Sequence, residues 1–254
     1  MIRLFGDSIF RGSAVTMRPD LKDEVRAAKV PLWPLRSPAS VMNLVLGGAS
    51  VSVAGQLRLP EGIKASLRDL QSAFESGTLG PDDVLIMLDV GEHKVDPDAH
   101  EDAWRQLRRA ATRERPTRLL ICEGFDNGAG GKLAYRYDVV FGRRSINQAI
   151  RDAALEPQPT YVGSTEFVPL SQPIARYHRW LDERFGVSAY RSDGIHLNVW
   201  GQFRLCGGLL GAVFPQASFD LAGLFTVLAS LDAHLELHGE ALRAAVEAAI
   251  HPAH

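Results

Sequence analysis

The chain has 254 residues, of which 46% are hydrophobic and 23% are charged. This length can bury a large core and fits one large α/β domain better than two small ones. The formal net charge of −2 gives no general electrostatic case for binding nucleic acid or an acidic membrane. Small-molecule chemistry or protein contact is therefore favoured.

The first residues are mostly apolar and turn polar at Gly6-Asp7-Ser8, before the apolar region of a signal peptide could form. The longest apolar stretch, around 221–229, is too short to span a bilayer. Cys122 and Cys206 form neither a disulfide framework nor a CxxC metal site, which indicates reduced thiols. We therefore expect a cytoplasmic protein with no stable membrane insertion.

Short apolar runs predict buried strands at Ile2–Phe5, Val41–Leu46, Val84–Leu88, Leu119–Cys122 and Thr160–Val162. Between them, residues at helical spacing predict three helices. One is capped by Asp98 and buries Trp104, Leu107 and Ala111; the next buries Ile146, Ile150 and Ala154; the third buries Ile174, Trp180, Leu181 and Phe185. This alternation predicts an α/β fold, a three-layer α/β/α sandwich with a mainly parallel sheet.

Two stretches interrupt the alternation. Residues 11–40 are polar and proline-bearing, and residues 123–138 are glycine-rich, which is typical of a loop over a site. Tyr135, Arg136 and Tyr137 at the end of the second stretch are interpreted either as pocket-lining side chains or as loop anchors. We expect the remaining histidines to lie on exposed helix surfaces or in the tail; they are at positions 178, 234, 238, 251 and 254.

After Pro215 the pattern predicts two more helices, at about 218–234 and 238–250, divided near Gly239. We therefore divide the chain into a domain over residues 1–215 and a helical extension over 216–254 packed on that domain. The apolar face of the extension is expected to pack inward, with a homodimer contact as the alternative. This face carries Leu221, Leu224, Leu228 and Leu231.

The first candidate for chemistry is Ser8, directly after the first predicted strand. A serine where a buried strand opens into a helix is exposed at the carboxyl edge of the sheet, where α/β folds bind ligands. Backbone N–H groups at the following helix start can stabilise a developing negative charge. Taken alone, a serine at this place is more often a helix N-cap.

The second candidate is the segment Ser192 to Asn198, which reads S-D-G-I-H-L-N. Asp193, three residues before His196 across a glycine, can hold the imidazole in one tautomer while its other nitrogen takes a serine proton. The alternative is a structural turn with an exposed histidine. The presence of Gly6-Asp7-Ser8 far upstream favours the catalytic interpretation.

Together, G-D-S near the start and D-G-I-H-L-N near the end resemble the first and fifth sequence blocks of the SGNH (GDSL-like) hydrolase superfamily, over about residues 1–211. The resemblance implies a flavodoxin-like sandwich with Ser8 as nucleophile and Asp193 and His196 completing a triad. It also implies an oxyanion hole formed by the nucleophile's N–H, a block-two glycine N–H and a block-three asparagine.

For block two, N-L-V-L-G-G at 43–48 is similar to the family's N-x-x-x-x-G and points to Gly48, with Gly47 as the fallback; the alternative is a plain strand-ending turn. In block three this sequence departs from the family's G-x-N-D, because it reads Gly91-Glu92-His93-Lys94. Aligned on the glycine, His93 takes the asparagine's place and its N–H can donate. A shift of one residue would put Glu92 there, and an ionised carboxylate would repel an oxyanion.

A metal site is an alternative interpretation of the acidic and histidine residues at 92–100, but their spacing fits neither HExxH nor an EF-hand loop. Asp96-Pro97-Asp98 instead predicts a turn into a helix N-cap. The resemblance implies cleavage of a small-molecule acyl ester through an acyl-serine, without cofactor or metal. The alternatives are an acyltransferase that uses the same acyl-serine and a non-catalytic ligand-binding protein that has lost the asparagine.

Overall fold

The computed structural model describes residues 1–7, 10, 35, 37–90, 96–125, 137–190 and 196–251. The chain divides into two compact units. The first unit comprises Met1–Phe10, Val51–Asp126 and Leu133–Ser171, and the second comprises Arg11–Ser50, Asn127–Lys132 and Gln172–His254. The domain boundary predicted after residue 215 lies inside the second unit.

The first unit contains a five-stranded sheet. Its strands are β1 (Ile2–Gly6), β2 (Val51–Gln56), β3 (Val84–Leu88), β4 (Arg118–Cys122) and β5 (Ser164–Val168). They lie in the order β2-β1-β3-β4-β5, and every neighbouring pair is parallel. This is the flavodoxin-like strand order. The prediction of an α/β fold with a parallel, flavodoxin-like sheet is confirmed.

The described residues also form eight α-helices: α1 (Pro38–Val45), α2 (Ile63–Glu75), α3 (Pro97–Thr112), α4 (Ile146–Leu155), α5 (Ser171–Phe185), α6 (Val199–Val213), α7 (Ala222–Ser230) and α8 (Gly239–Ile250). The faces predicted for α3 and α4 are fully buried, as the 3.6-residue period requires. In α5, Ile174 and Leu181 are buried, but Trp180 and Phe185 are only half-buried and pack edge-to-face on each other.

Two of the predicted strands are wrong. Val41–Leu46 lies mostly in helix α1, because Ser37 accepts the Ser40 N–H as an N-cap and Pro38 fits the first helical turn. Thr160–Val162 precedes the real strand β5, an edge strand in which buried and exposed positions mix. Strand β2 was not predicted, because its sequence V-S-V-A-G-Q lacks a continuous apolar run.

In the second unit, the C-terminal helix α8 packs against α5 and α6. The Tyr177 hydroxyl of α5 donates to the Ala245 carbonyl oxygen at 2.7 Å. Gly207 of α6 lies so close to α8 that a Cβ there would come within 2.1 Å of the Ala249 carbonyl oxygen. The two predicted C-terminal helices therefore exist as α7 and α8, and α8 is fixed to helices that precede residue 215.

The four leucines of the predicted apolar face are buried in the chain, as inward packing predicts; they are Leu221, Leu224, Leu228 and Leu231. A homodimer contact would therefore have to use other residues. Cys122 and Cys206 are buried free thiols, and burial raises the pKa of both. Among the described residues, no helix combines the length and apolar character needed to cross a membrane.

Candidate active site

The ends of β1 and β3 lie at the point where the order of the strands in the sheet reverses. The two strands pair in parallel with Gly6 level with Leu88. The chain leaves β1 towards β2 on one side and leaves β3 towards β4 on the other. In open α/β sheets, such a switch point at the carboxyl edge opens a crevice that binds ligands.

Gly6 is at this place because no side chain fits there. A Cβ on Gly6 would lie 2.7 Å from the Leu88 carbonyl oxygen and 2.6 Å from Cδ2 of Phe10, whose ring is fully buried. Contacts this short require something to move, and the Leu88 carbonyl is fixed in the sheet. The glycine of the G-D-S motif thus allows the chain leaving β1 to pass close to the end of β3.

Asp7 connects the two strand ends. Its side chain is 8% exposed, and its Oδ2 accepts the Val90 N–H at 2.9 Å. A carboxylate that accepts a buried backbone N–H makes a charge-assisted hydrogen bond, stronger than one between neutral groups. Asp89, which follows β3, is also buried. Two letters of the G-D-S motif therefore have structural roles at the switch point.

Four of the predicted site residues lie outside the described part of the chain: Ser8, Glu92, His93 and Asp193. Their neighbours are described. Ser8 follows Asp7 in the chain, Glu92 and His93 follow Val90 after one residue, and Asp193 falls in the segment between Tyr190 and His196.

Gly48 is described, and it lies in an exposed turn that ends helix α1. Gly47 has a positive φ of 68° and donates its N–H to the Leu44 carbonyl oxygen, while the Gly48 N–H donates to the Asn43 carbonyl oxygen at 3.0 Å. This pair of bonds is the Schellman helix end. The interpretation of residues 43–48 as a strand end is therefore wrong, and the Gly48 N–H could reach an oxyanion only by giving up its bond to Asn43.

His196 is half-buried and lies in the second unit, at the end of a loop whose flanking residues are joined by backbone and side-chain hydrogen bonds. Tyr190 and Leu197 form an isolated antiparallel bridge. Asn198 uses both ends of its amide: Nδ2 donates to the Ser188 carbonyl oxygen at 2.6 Å, and Oδ1 accepts N–H groups from the first turn of α6. Its own N–H donates to the Ala189 carbonyl oxygen at 3.1 Å. The backbone on both sides of residues 191–196 is thus pinned together.

His178 of α5 contacts the same loop, and the expectation that it lies on an exposed helix surface is wrong. It is half-buried, its Nδ1 accepts the Ala189 N–H at 3.2 Å, and its ring packs edge-to-face on Tyr190 with centroids 5.1 Å apart. Burial lowers the pKa of His178, partly offset by the nearby charge of Asp182. A signal was present in the sequence, because His178 is four residues after the buried Ile174.

A polar cluster lies in the first unit where β4 and β5 end. Glu123 Oε2 accepts the Leu170 and Ser171 N–H groups at 3.0 and 2.8 Å, and the Ser171 hydroxyl donates to Asp138. Asn147 donates to Asp138 Oδ1 at 2.8 Å. Burial raises the pKa of Glu123, as does the charge of Asp138, against the lowering effect of the two N–H bonds.

This cluster holds the two ends of the glycine-rich segment. Asn147 also donates to the Gly124 carbonyl oxygen at 2.9 Å, and Gly124 packs so closely on the Tyr137 ring that a Cβ there would come within 2.2 Å of it. Tyr137 is 2% exposed. It therefore acts as a loop anchor, which was one of its two interpretations; Tyr135 and Arg136 lie outside the described residues.

The metal alternative gains no support from the described residues, where no group of three or more His, Cys, Asp or Glu side chains is placed to hold a metal ion. Asp96 Oδ1 accepts the Asp98 and Ala99 N–H groups, both at 3.1 Å. The predicted turn into a helix N-cap is thus confirmed, but the capping residue is Asp96, and Asp98 lies in the first turn of α3.

No protein-family model matches this chain, and no curated protein matches it either. What the chain does must therefore be inferred from its own residues and geometry.

Proposed function

We propose that this chain is a serine hydrolase of the SGNH type that cleaves a carboxylic ester of a small molecule. In this proposal Ser8 is the nucleophile, His196 is the general base and acid, and Asp193 orients His196. Hydrolysis of the acyl-serine by water is preferred, and transfer of the acyl group to another acceptor is the alternative outcome. A cytoplasmic location remains a prediction.

The observation that carries the proposal is the position of Gly6 and Asp7 at the β1/β3 switch point. Gly6 passes the Leu88 carbonyl without room for a side chain, and Asp7 binds the Val90 N–H. Because Gly6 and Asp7 have structural roles, the serine is the residue of the G-D-S motif that remains available for chemistry. It follows directly after Asp7 in the sequence, and the strand that ends at Gly6 reaches the edge where this fold class binds ligands.

The second support is the construction of the loop that carries His196. General base catalysis requires an imidazole held in one orientation, because a misplaced base loses much of its rate advantage. The Tyr190–Leu197 bridge and the bonds of Asn198 to both flanks provide a rigid base for such a loop.

The proposed reaction has two halves. The Ser8 oxygen bonds to the acyl carbon, its proton passes to His196, and the alcohol leaves with that proton after the C–O bond breaks. Water then attacks the acyl-serine, gives a proton to His196, and the acid leaves as the proton returns to the serine oxygen. Asp193 keeps its negative charge throughout and stabilises the imidazolium.

The oxyanion donors in this proposal are the Ser8 backbone N–H and the His93 side chain. The Gly48 N–H is left out because it donates to Asn43 in the helix end. A donor set with one backbone N–H and one imidazole would be weaker than the family's three donors, so we expect activity mainly on esters with good leaving groups.

A panel of p-nitrophenyl esters from acetate to long acyl chains tests the proposal. We expect turnover by the natural sequence, and near-complete loss in Ser8→Ala and in His196→Ala. The double variant should be little worse than either single variant, because triad members act as a unit. Ser218→Ala, an exposed serine outside the site, is the matched control and should retain full turnover. Turnover that survives in Ser8→Ala would contradict the proposal.

A further inference from the structure

We propose that His178 is a positioning residue for His196, acting through the loop that joins α5 to α6. This inference rests on the proposed function for its catalytic meaning, but its structural part stands on contacts within the second unit alone. His178 is outside the G-D-S and D-G-I-H motifs.

The His178 ring is hydrogen-bonded to the backbone of the loop. The Ala189 N–H donates to His178 Nδ1 at 3.2 Å. Ala189 is fully buried, so water cannot easily replace this acceptor, and an unpaired buried N–H is destabilising. The bond requires an imidazole with an unprotonated Nδ1, because a protonated Nδ1 is a donor. Burial of the ring favours that neutral form.

Ala189, which His178 contacts, is also held by residues at the start of α6. The Ala189 carbonyl oxygen accepts the Asn198 N–H at 3.1 Å and lies where a Cβ on Gly201 would come within 2.4 Å of it. The Ala189 backbone is therefore held at its N–H by His178 and at its carbonyl oxygen by Asn198, and Gly201 of α6 packs against that carbonyl. A shift of Ala189 would have to be shared by Asn198, two residues after His196.

The His178 ring also contacts Tyr190. Tyr190 packs edge-to-face on the His178 ring and forms the backbone bridge to Leu197. Leu197 is the residue after His196. His178 thus contacts both residues, Ala189 and Tyr190, that pair across the loop with the backbone next to His196.

Two substitutions distinguish the role of His178 as a hydrogen-bond acceptor from its role in filling space. In His178→Asn, the amide oxygen occupies the place of Nδ1 relative to Cγ and can accept the Ala189 N–H. In His178→Leu, the acceptor is lost and an apolar side chain fills the space. His238→Leu is the control, because His238 is an exposed histidine that lies outside this loop in the sequence. Its Nδ1 lies 2.9 Å from Oδ1 of Asp232.

The first measurement is amide hydrogen exchange of the peptide over residues 186–198, in a Ser8→Ala background so that no turnover is needed. We expect exchange in this peptide to rise about tenfold in His178→Leu, and to stay within about threefold of the parent in His178→Asn. His238→Leu should leave the peptide unchanged. Equal exchange in His178→Leu and His178→Asn would overturn the structural part of the inference.

The second measurement is ester turnover in the Ser8-containing protein. We expect kcat to fall about tenfold in His178→Leu with little change in KM, because the loop carries the proposed base, and to recover in His178→Asn. A normal kcat in His178→Leu, despite faster exchange, would overturn the positioning role. An inactive natural sequence would contradict the proposed function instead, and the exchange measurement would still decide whether His178 holds the loop.

Discussion

The carboxylate of Asp7 accepts the N–H of Val90 at 2.9 Å and so joins the end of β1 to the end of β3. These two residues are 83 positions apart in the sequence. Their hydrogen bond holds the two strand ends together directly before the proposed nucleophile in the sequence. The aspartate of G-D-S thus has a structural duty separate from catalysis.

Replacing Asp7 with alanine should therefore lower stability as well as activity. Asp7→Ala leaves the buried Val90 N–H without this acceptor, and we expect the free energy of unfolding to fall by about 1–3 kcal/mol. Asp7→Asn keeps an acceptor oxygen and should lose less. Urea unfolding measures both, with the exposed Asp82→Ala as a control expected within about 0.5 kcal/mol of the natural sequence. Equal stability of Asp7→Ala and Asp82→Ala would refute the role of this bond.

Gly6→Ala should be destabilising, because its Cβ would meet the Leu88 carbonyl oxygen at 2.7 Å. We expect a loss of about 1–3 kcal/mol in the free energy of unfolding, the usual cost of overpacking. Gly211→Ala is the matched control, since a Cβ at Gly211 meets nothing within 4 Å and Gly211 lies inside helix α6. That change should leave stability unchanged or raise it by about 0.5–1 kcal/mol. If the two variants unfold alike, the close approach at Gly6 is not a constraint.

The sequence predicted the buried strands well, because β1, β3 and β4 are apolar runs with little else that they could form. It failed at two segments, one where the helix-end signals beside an apolar run decide the structure and one at the edge of the sheet. Val41–Leu46 is as apolar as a strand, and only the cap at Ser37 and the glycine end at Gly47 identify it as a helix. Strand β5 was misplaced because an edge strand does not need a continuous apolar run.

The same limit applies to the candidate site. The motif singled out Ser8 and gave Gly6 and Asp7 no role of their own; their roles depend on Leu88 and Val90, which only the pairing of β1 with β3 brings close. Similarly, His178 and Ala189 are 11 residues apart, and no period in the sequence reveals that one accepts the other's N–H. Contacts of this kind follow from the fold and cannot be read from a single sequence.

Substitutions at Glu92 and His93 decide between the two alignments of block three. If His93 takes the asparagine's place, His93→Ala should lower kcat about 10²–10³-fold with a smaller effect on KM, because the donor acts on charge that forms in the transition state. His93→Asn should keep or raise activity on simple esters. If Glu92 faces the substrate instead, Glu92→Asn should raise turnover while His93→Asn changes little. Steady-state kinetics on p-nitrophenyl acetate distinguish the two, and no effect from any variant would contradict both alignments.

The lowered pKa of His178 predicts a stability change with pH. The unfolded chain protonates this histidine near its ordinary pKa of about 6.5, while the folded chain resists until lower pH. The contribution of neutral His178 is therefore complete above about pH 6.5 and is lost as the pH falls from there towards the folded-state pKa. Urea unfolding at several pH values should show a shallower decline below pH 6.5 in His178→Asn than in the natural sequence. Parallel curves would contradict the prediction.

The central claim is that Ser8 is an activated nucleophile, and a fluorophosphonate probe followed by peptide mass mapping tests it most directly. We expect one labelled peptide, with the adduct on Ser8. Labelling should disappear in Ser8→Ala, slow strongly in His196→Ala, and remain normal in the Ser218→Ala control, because only a serine with a positioned base reacts readily. Failure of the natural sequence to label, or a label that persists in Ser8→Ala, would contradict the account.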